Sequence, residues 1–429
     1  MSSVLSSPQA PLGETTATVK RRPCRSCGTE LRHTFVDLGM SPLANSNVEV
    51  AKRDQMEPFY PLHTYVCHEC FLVQLEEFES PQHIFGEYAY LSSFSESWVR
   101  HAQRYVDMIV DRLGLGPQSQ VVEIASNDGY LLQFVVAKKI KALGIEPAAN
   151  IAKIAVEKGI PTESCFFGAE TAQSLVDRGI RADLIAANNV LAHVPDLNDF
   201  IKGFSILLRP EGMVTCEFPH LLQLMHGCEF DTIYHEHFSY FSLLAVSKAF
   251  ARHGMAIVDV EELPTHGGSL RIYVAHANGR STTVGPRVTD LLRREREAGL
   301  ATLDPYLSFA PQAEAAKRDL LKFLIEAKSA GKSIVGYGAP AKGNTLLNYC
   351  GVRSDFIDYV VDRNPLKQGR LLPGTRIPIH DPARIKESRP DYLLLLPWNL
   401  RDEIIGQMAY VREWGCKFVT PLPQVRLYD

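Results

Sequence analysis

The sequence predicts an α/β fold in which two parallel-sheet units follow a small metal-binding domain. Two paired cysteine motifs lie near the N-terminus, and apolar strands alternate with helices from about residue 97. A second strand-turn-helix unit begins at residue 333. Strands separated by helices indicate parallel sheets, which bind ligands at the carboxyl ends of their strands.

Composition limits the classes of function. The chain has 429 residues, 45% of them hydrophobic, and a net charge of -4, which suits two or three domains. We expect no nucleic-acid partner, because no basic excess is present, and no membrane partner, because no apolar stretch approaches the roughly 20 residues that span a bilayer. Residues 1–20 are predicted to be a disordered tail without a signal peptide, so a cytoplasmic location is expected. The oligomeric state is left open, with a monomer plausible.

Four of the nine cysteines form two Cys-x-x-Cys pairs, Cys24/Cys27 and Cys67/Cys70. Four thiolates in such pairs can bind one tetrahedral zinc ion, and a site filled by protein ligands is structural. A neighbouring histidine in place of one thiolate, or a redox dithiol pair, is the alternative. We therefore expect one structural Zn²⁺ in a zinc-binding domain over residues 21–93.

Residues 94–285 are predicted to form a central domain of alternating helices and strands. A polar segment rich in turn-forming residues, 279–286, marks its C-terminal boundary. The expected elements are a helix over 98–113, strands over 120–125, 141–145 and 183–187, a helix from Tyr130, and a turn over 208–212 before a strand over 213–218.

The cofactor pocket is expected where the first of these strands ends. The turn after Glu123 has one glycine, unlike a glycine-rich loop that binds pyrophosphate, and a second acid, Glu146, closes the next strand. This spacing favours a class I fold that binds S-adenosylmethionine, with another nucleotide or none as the alternative. The expected cofactor contacts are Glu123, Asn127, Asp128, Gly129, Glu146, Pro147, Phe167, Asn188 and Asn189.

The tetrapeptide Tyr234-His235-Glu236-His237 combines a phenol, a carboxylate and two imidazoles. It allows three interpretations: a cluster of solvated or structural side chains, a metal site, or a general base with its orienting partners. On a strand, His235 and His237 would share one face, as two metal ligands require. The helical His-Glu-x-x-His spacing of zinc hydrolases is absent.

Residues 286–429 are predicted to form a second Rossmann-like domain. A helix over 313–329 leads into a strand-turn-helix from Ser333, and further strands are expected over 356–362 and 391–396. Lys342 beside the start of this helix suits an anion such as a diphosphate, although an empty, degenerate nucleotide loop is equally compatible.

The order of these features resembles the nucleotide-sugar C-methyltransferases of deoxysugar pathways, from Cys24 to the C-terminus. The resemblance implies a zinc-binding N-terminal domain, a central S-adenosylmethionine domain and a C-terminal Rossmann-like domain, with a thymidine-diphosphate keto sugar held between them. The turn at Ala125–Asp128 departs from many methyltransferases in lacking several glycines, which we expect to alter donor affinity. The resemblance to this family depends on the two cysteine pairs and six further motifs: Ser41–Asn45, Tyr88–Ser93, Glu123–Gly129, Tyr234–Tyr240, His266–Arg271 and Gly336–Asn344.

The resemblance also implies roles for individual residues. His237 is expected to be the base that removes a proton beside the ketone, with Tyr234 and Glu236 around it and His193 as a second imidazole of the catalytic pocket. Tyr88 and Ser92 are expected to close over the donor, and Tyr90, His266, Lys342 and Asn344 to contact the sugar nucleotide. Packing at a domain junction is the alternative for Tyr88, Tyr90 and Ser92, and a strand end is the alternative for His266.

Two other functions stay compatible with the sequence. One is methyl transfer to oxygen or nitrogen of a related sugar. The other is a non-catalytic, zinc-organised binding protein that retains the fold. The intact acids Glu123 and Glu146 favour an enzyme.

Overall fold

The computed structural model describes residues 21–80, Gln82, 91–279 and 283–429. The predicted tail, residues 1–20, lies outside the described residues. The N-terminal region contains short antiparallel strands: β1 (His33–Ser41), β2 (Val48–Glu49), β3 (Tyr60–Val66) and β4 (Val73–Leu75).

The central region alternates helices and strands, as the sequence predicts. Its first helix is capped at both ends. The side chain of Ser95, just before the helix, accepts a hydrogen bond from the Trp98 amide, and Gly114, just after it, adopts φ 61°. The elements are α1 (Glu96–Leu113), β5 (Gln120–Ile124), α2 (Leu132–Ala137), β6 (Lys141–Ile145), α3 (Ala149–Glu157), β7 (Thr162–Glu163), α4 (Ala169–Asp177), β8 (Ala182–Asn188), α5 (Leu197–Leu207), β9 (Leu208–Pro219), α6 (Leu221–His226), β10 (Ser239–Tyr240), α7 (Leu243–Ala251), β11 (Met255–Leu263) and β12 (Ser269–His276).

The C-terminal region is a second α/β unit. Its elements are α8 (Pro286–Glu297), α9 (Asp304–Leu307), α10 (Phe309–Ser329), β13 (Ile334–Tyr337), α11 (Ala341–Cys350), β14 (Val360–Val361), β15 (Arg370–Leu371), β16 (Ile379–His380), α12 (Arg384–Ser388), β17 (Tyr392–Leu395), α13 (Arg401–Gln407), β18 (Lys417–Thr420) and β19 (Arg426–Tyr428). Short 3-10 turns occur at Val50–Lys52, Ser92–Phe94, Leu191–His193, Phe230–Thr232, Thr265–Gly267, Trp398–Leu400 and Ala409–Trp414.

The central sheet has the strand order β11-β12-β9-β8-β5-β6-β7. Strands β9, β8, β5, β6 and β7 are parallel, and β11, β12 and β9 pair antiparallel. The carboxyl ends of β5, β6 and β8 therefore lie side by side, which confirms the α/β fold class and gathers the expected cofactor contacts at one edge.

The C-terminal sheet has the order β16-β14-β13-β17-β18-β19, with β19 antiparallel to β18. The chain runs outward from β13 in one direction and returns to β17 on its other side. The order thus reverses at β13, where open α/β sheets form a crevice for ligands.

The N-terminal sheet is completed by a strand from the central region. Its order is β1-β3-β4-β10, and β10 pairs antiparallel with β4. Strand β2 likewise pairs with β15 of the C-terminal region. The ring of Phe35 in β1 stacks on Phe309 with centroids 4.5 Å apart, so the three regions share part of their core.

Two sequence predictions differ from the structure. The predicted turn over 208–212 is part of β9, where residues 209–212 bulge out between the pairs Ala182↔Leu208 and Leu184↔Met213. The predicted strand over 356–362 shortens to β14, because Phe356 closes a turn onto Arg353. Among the helices of the described residues, none is long and apolar enough to cross a membrane.

Candidate active site

The turn after β5 is tight and buried. Glu123 near the end of β5 is 1% exposed, and its Oε2 atom is buried without a hydrogen-bond partner. Burial raises the pKa of this carboxyl well above its usual value, although a hydrogen bond from Tyr130 opposes the shift. Asn127 and Gly129 adopt positive φ values of 49° and 78°, and a Cβ on Gly129 would lie 2.2 Å from Ile160. The turn is therefore fixed by glycine at that position.

Glu146 holds the turn from the end of β6. Its carboxylate accepts hydrogen bonds from the backbone amides of Asn127 and Ala148, both at 2.9 Å. Burial nevertheless raises the pKa of the group. Each carboxylate oxygen has a second lone pair, so acceptance from a ribose hydroxyl stays possible. Pro147, the next predicted contact, is half-buried beside it.

Asp128 and Ser92 connect the turn to neighbouring segments. Asp128 is fully buried and accepts a hydrogen bond from Lys158 Nζ at 2.8 Å and another from Ser93. The backbone amide of Ser92 donates to the side chain of Asn127 at 2.9 Å. Ser92 thus lies directly against the expected cofactor turn. The predicted contacts Tyr88 and Tyr90 lie outside the described residues.

The end of β8 supplies two amides to the same edge. Asn188 is buried, and its Oδ1 atom has no hydrogen-bond partner. Asn189 adopts φ 53° and donates its backbone N–H to the Glu217 carbonyl at 2.8 Å. The ring of Phe167 instead lies 5.4 Å from that of Phe200, so it takes part in core packing. Asn188 is therefore better placed than Phe167 to contact a bound cofactor.

The Tyr234–His237 run is a turn and not a strand, with the His237 amide donating to the Tyr234 carbonyl at 2.8 Å. His235 points towards the N-terminal sheet, where its Nε2–H donates to the Pro61 carbonyl at 3.2 Å. The imidazoles of His235 and His237 therefore do not share a face. The metal-site interpretation of this run is wrong, because it required strand alternation.

His237 has the geometry of a neutral base. Its Nδ1–H donates to the Thr232 carbonyl at 2.9 Å, which leaves the Nε2 lone pair able to accept a proton. Its ring centroid lies 4.0 Å from that of Tyr234 and 4.7 Å from that of His193. Burial and the adjacent His193 hold the pKa of His237 well below its usual value, so the ring is neutral at pH 7.

Glu236 and His193 are the other two predicted catalytic residues, and burial shifts the pKa of both. Glu236 is 6% exposed, and its carboxylate accepts a hydrogen bond from Asn45 Nδ2 at 2.6 Å. Burial raises the pKa of Glu236 to about 7. His193 hydrogen-bonds the backbone of Glu236, and its own burial lowers its pKa to about 4. Tyr234 and His193 are thus brought against His237, whereas the Glu236 carboxylate is directed to Asn45.

The predicted substrate contacts come from two other segments. Lys342 near the start of α11 donates to Asn399 Oδ1 at 3.0 Å, and its charge lowers the pKa of His237. Asn344, two residues later, is 1% exposed, and neither polar atom of its amide has a hydrogen-bond partner. His266 adopts φ 58° and also lowers the pKa of His237. His266 of the central region and Lys342 of the C-terminal region therefore both act electrostatically on His237.

Two buried acids near this site were missed from the sequence. Glu229 is 5% exposed and Asp231 is fully buried, and both act electrostatically on Lys342. Asp231 accepts a hydrogen bond from the indole of Trp398 at 2.7 Å. A usable signal was present, since acids alternate with apolar residues in Cys228-Glu-Phe-Asp-Thr-Ile233, immediately before the tetrapeptide.

The four paired cysteines converge on one point. Their Sγ atoms lie within 4.8 Å of one another, and the Cys24–Cys70 and Cys27–Cys67 pairs are each 3.5 Å apart. Tetrahedral zinc–thiolate bonds of ~2.3 Å require sulfur atoms about 3.8 Å apart, so this donor set fits a zinc ion. Gln74 Nε2 donates to Cys24 Sγ at 3.1 Å and supports one ligand from outside the cluster.

Arg25, between the first two cysteines, contacts the loop that carries His193. Its guanidinium donates to the Pro195 carbonyl at 3.0 Å and to the Leu75 carbonyl, and it lies over the ring of Phe238 at 5.4 Å. Since Phe238 follows His237, one arginine touches the neighbours of two imidazoles. The sequence offered no signal for this contact beyond a basic residue inside a cysteine pair.

Three family profiles match consecutive parts of the chain. Residues 24–85 match the family described as "Putative zinc binding domain" and residues 98–260 match "Methyltransferase domain". Residues 264–423 match "C-methyltransferase C-terminal domain". Together they cover most of the described residues in the order expected from the cysteine pairs, the central sheet and the second sheet.

The chain is similar to individual proteins over different fractions of its length. The chain is 36% identical to the C-methyltransferase NovU of Streptomyces niveus over 94% of its own length and 96% of the relative. It is 26% identical to a ubiquinone biosynthesis O-methyltransferase of Bartonella bacilliformis over 32% of its length and 56% of that protein. Among solved structures, the PH0226 protein of Pyrococcus horikoshii OT3 aligns with a TM-score of 0.36 and 12% identity, covering 46% of this chain and 99% of that one.

Proposed function

Because the chain belongs to the family of S-adenosylmethionine-dependent C-methyltransferases, we propose that its acceptor is a nucleotide-linked keto-deoxysugar carried by thymidine diphosphate. The resemblance of the ordered motifs to deoxysugar enzymes supports this acceptor class. A buried neutral imidazole supports the chemistry, because methylation of carbon needs a base that removes a proton beside a ketone.

The observation that carries the proposal is the hydrogen bond from His237 Nδ1 to the Thr232 carbonyl at 2.9 Å. It directs the basic Nε2 atom of the ring away from that carbonyl. Nε2 removes the proton from the carbon next to the carbonyl, the C–H electron pair forms a carbon–carbon double bond, and the carbonyl π electrons move to oxygen. The imidazolium then carries the proton.

Burial lowers the pKa of His237, so its imidazolium is costly when it forms alone. The developing oxyanion compensates, because the two opposite charges appear together in a site shielded from water. Tyr234, whose ring lies 4.0 Å from the imidazole, restricts its orientation. His193 and Glu236 extend the polar surroundings through which the proton can later leave.

Glu123, Glu146 and Asn188 are the residues we propose to hold the methyl donor. The unpaired oxygens of Glu123 and Asn188 fit a cationic amino-acid portion, and Glu146 fits a ribose. The raised pKa of Glu123 would return towards its usual value once a positive charge binds beside it. When bound there, S-adenosylmethionine would supply an electrophilic methyl group, whose bond to sulfur would break as the enolate carbon forms its new bond.

The test is hydrogen exchange at the sugar carbon in deuterium oxide with a thymidine-diphosphate keto-deoxysugar. The unmodified chain should exchange this hydrogen, and His237→Asn should abolish exchange, because asparagine keeps an amide donor near Thr232 but has no basic nitrogen. His226→Ala removes an exposed histidine and should exchange normally. Absence of exchange in the unmodified chain, together with methylation at oxygen or nitrogen, would reject the enolate route.

We also propose that the four cysteines bind one structural zinc ion. With all four positions taken by thiolates, the metal has no site for substrate or water. Purified protein should contain about one zinc per chain, and cobalt substitution should give thiolate-to-cobalt absorption bands with methyl transfer retained. Methyl transfer that rises and falls with the identity of the metal would contradict a structural role.

A further inference from the structure

Three charged side chains beside the His237 segment have no part in the proton transfer described above. Glu229 and Asp231 flank Phe230 in the turn that precedes Thr232, and Lys342 approaches them from α11. Glu229 is 5% exposed and Asp231 is fully buried. Buried charges are costly unless they are paired, so this cluster requires an explanation beyond packing.

Trp398 holds the cluster together. Its indole N–H donates to Asp231 Oδ2 at 2.7 Å, and Lys342 Nζ lies 4.4 Å from the centroid of its ring. Asn399, the next residue, accepts a hydrogen bond from Nζ at 3.0 Å. The side chain of Thr345 also donates to the Ile233 carbonyl at 3.1 Å. The start of α11 is thereby fixed against the segment that supplies the base.

Lys342 retains unused hydrogen-bond donors in this setting. Within the part of the chain that the structure describes, Nζ donates only to Asn399, although an ammonium has three N–H groups. Burial lowers the pKa of Lys342, and the nearby Asp231 and Glu229 oppose this shift and favour the charged form. Asp231, which Trp398 links to Lys342, directly precedes Thr232, whose carbonyl accepts the hydrogen bond from His237, so the lysine adjoins the segment that orients the imidazole.

A diphosphate is poorly matched to this lysine. Burial raises the pKa of Asp231 to about 6 and that of Glu229 to about 8, so at pH 7 the Asp231 carboxylate is ionised beside Lys342 and would repel the several negative charges of a diphosphate. A carbonyl oxygen that gains a single charge beside His237 needs only one or two directed N–H groups. Lys342 therefore fits the reacting end of the substrate better than the nucleotide end.

We propose that Lys342 donates a hydrogen bond to the substrate ketone and stabilises the enolate oxygen, with Asp231 and Trp398 as positioning residues. The inference rests on the proposed function. During proton removal by His237, the carbonyl π electrons localise on the oxygen next to the ammonium, and the ammonium keeps its proton. As the new carbon–carbon bond forms, the electrons return to the carbonyl.

The test measures two properties of Lys342→Met, which keeps an unbranched side chain near Trp398 but removes the charge. Exchange of the sugar hydrogen at saturating substrate should fall by about 100- to 1000-fold, the loss expected for an oxyanion donor. Thymidine diphosphate alone, measured by calorimetry, should bind as before. Lys317→Met is the matched control, because Lys317 also lies over an aromatic ring, at 4.5 Å from Tyr349.

The inference is overturned if Lys342→Met binds thymidine diphosphate more weakly but exchanges the sugar hydrogen at an unchanged rate at saturation. That result would mean that Lys342 binds the diphosphate instead. If Lys342→Met does not fold, Trp398→Phe decides: it removes the indole donor to Asp231 but keeps a ring under Nζ. Exchange should then fall about tenfold with diphosphate binding unchanged, and unaltered exchange would reject the inference. Failure of the unmodified chain to exchange would instead reject the proposed function.

Discussion

At the scale of single residues, burial sets the protonation of the groups around the proposed base. The pKa of His237 is lowered and that of Glu236 is raised to about 7, in both cases chiefly because water is excluded. Both shifts favour the neutral form. At pH 7 the His237 ring is therefore neutral and Glu236 is partly protonated, while the charges of Lys342 and Asp231 lie beside this segment.

The lowered pKa of His237 predicts an unusual pH profile. Because the free base is the active form, kcat/KM for methyl transfer should stay high on acidification and fall only below pH 6.5, the ordinary value for histidine. The profile should be repeated in Glu236→Gln, since Glu236 titrates near pH 7 and could add a limb of its own. An acid limb at or above pH 6.5 in both proteins would contradict the lowered pKa.

The raised pKa of Glu236 predicts a pH-dependent cost to stability. The folded state holds the proton from the usual value of 4.5 up to about 7, so stability is full below 4.5 and is lost as pH rises through 7. Glu236→Gln should consequently raise Tm relative to the unmodified chain more at pH 8.5 than at pH 5.5. The difference should correspond to about 1–3 kcal/mol, measured by calorimetry without ligands. An equal effect at both pH values would refute this.

Sequence reasoning at this scale could nominate candidate catalytic side chains but not the groups that orient them. His237, Glu236 and Tyr234 stand together in the chain, and their chemistry is visible there. The Thr232 carbonyl is invisible because every residue has one, and Trp398 lies 167 positions from the acid it contacts. Contacts of that kind depend on how two sheets pack.

At the scale of elements, the first cysteine pair serves as a support for the loop after β8. Arg25 projects from this pair to the Pro195 carbonyl and to the ring of Phe238. Asn198 in α5 returns a hydrogen bond to the Arg25 carbonyl at 2.9 Å. The turn that carries Cys24 and Cys27 and the region after β8 are thus joined by hydrogen bonds donated from each side.

This contact predicts that Arg25→Met lowers both stability and turnover while metal content stays unchanged. Loss of the guanidinium leaves partly buried carbonyls unsatisfied and should cost about 2–4 kcal/mol. A shift of the His193 loop should reduce kcat by about tenfold to a hundredfold. Arg21→Met is the control, because that side chain is 93% exposed. Normal kcat in Arg25→Met would show that the contact does not position the site.

The length of an element decided how well it could be predicted. Strand β6 matches the predicted range 141–145, since its apolar run is bounded by clear turn signals. Strand β10 has two residues and no sequence signal of its own. It exists because β4 offers an edge with which it pairs, and such long-range pairing is not encoded locally.

At the scale of the whole molecule, the three regions are joined through a common core. Phe35 of β1 is fully buried against Phe309 and Tyr306, which belong to the C-terminal region. Strand β2 extends this union by pairing with β15. The regions can be recognised separately in the sequence, but each buries part of its apolar surface against the others.

Shared packing predicts cooperative unfolding. Phe35→Ala should destabilise the protein by about 3–5 kcal/mol and move a single calorimetric transition, because its cavity opens in a core used by more than one region. Phe59→Ala is the matched control, with a ring that is 38% exposed. A separate early transition confined to the N-terminal region would show instead that this region unfolds independently.

The pairing of β4 with the distant strand β10 has a consequence for synthesis of the chain. On the ribosome, β4 is made first, and its partner follows only after residues 76–238 have been translated. Because translation proceeds at about 5–20 residues per second, β4 has no partner strand for roughly 8–30 s. During that interval the backbone edge of β4 is open, and such an edge can pair with strands of other chains.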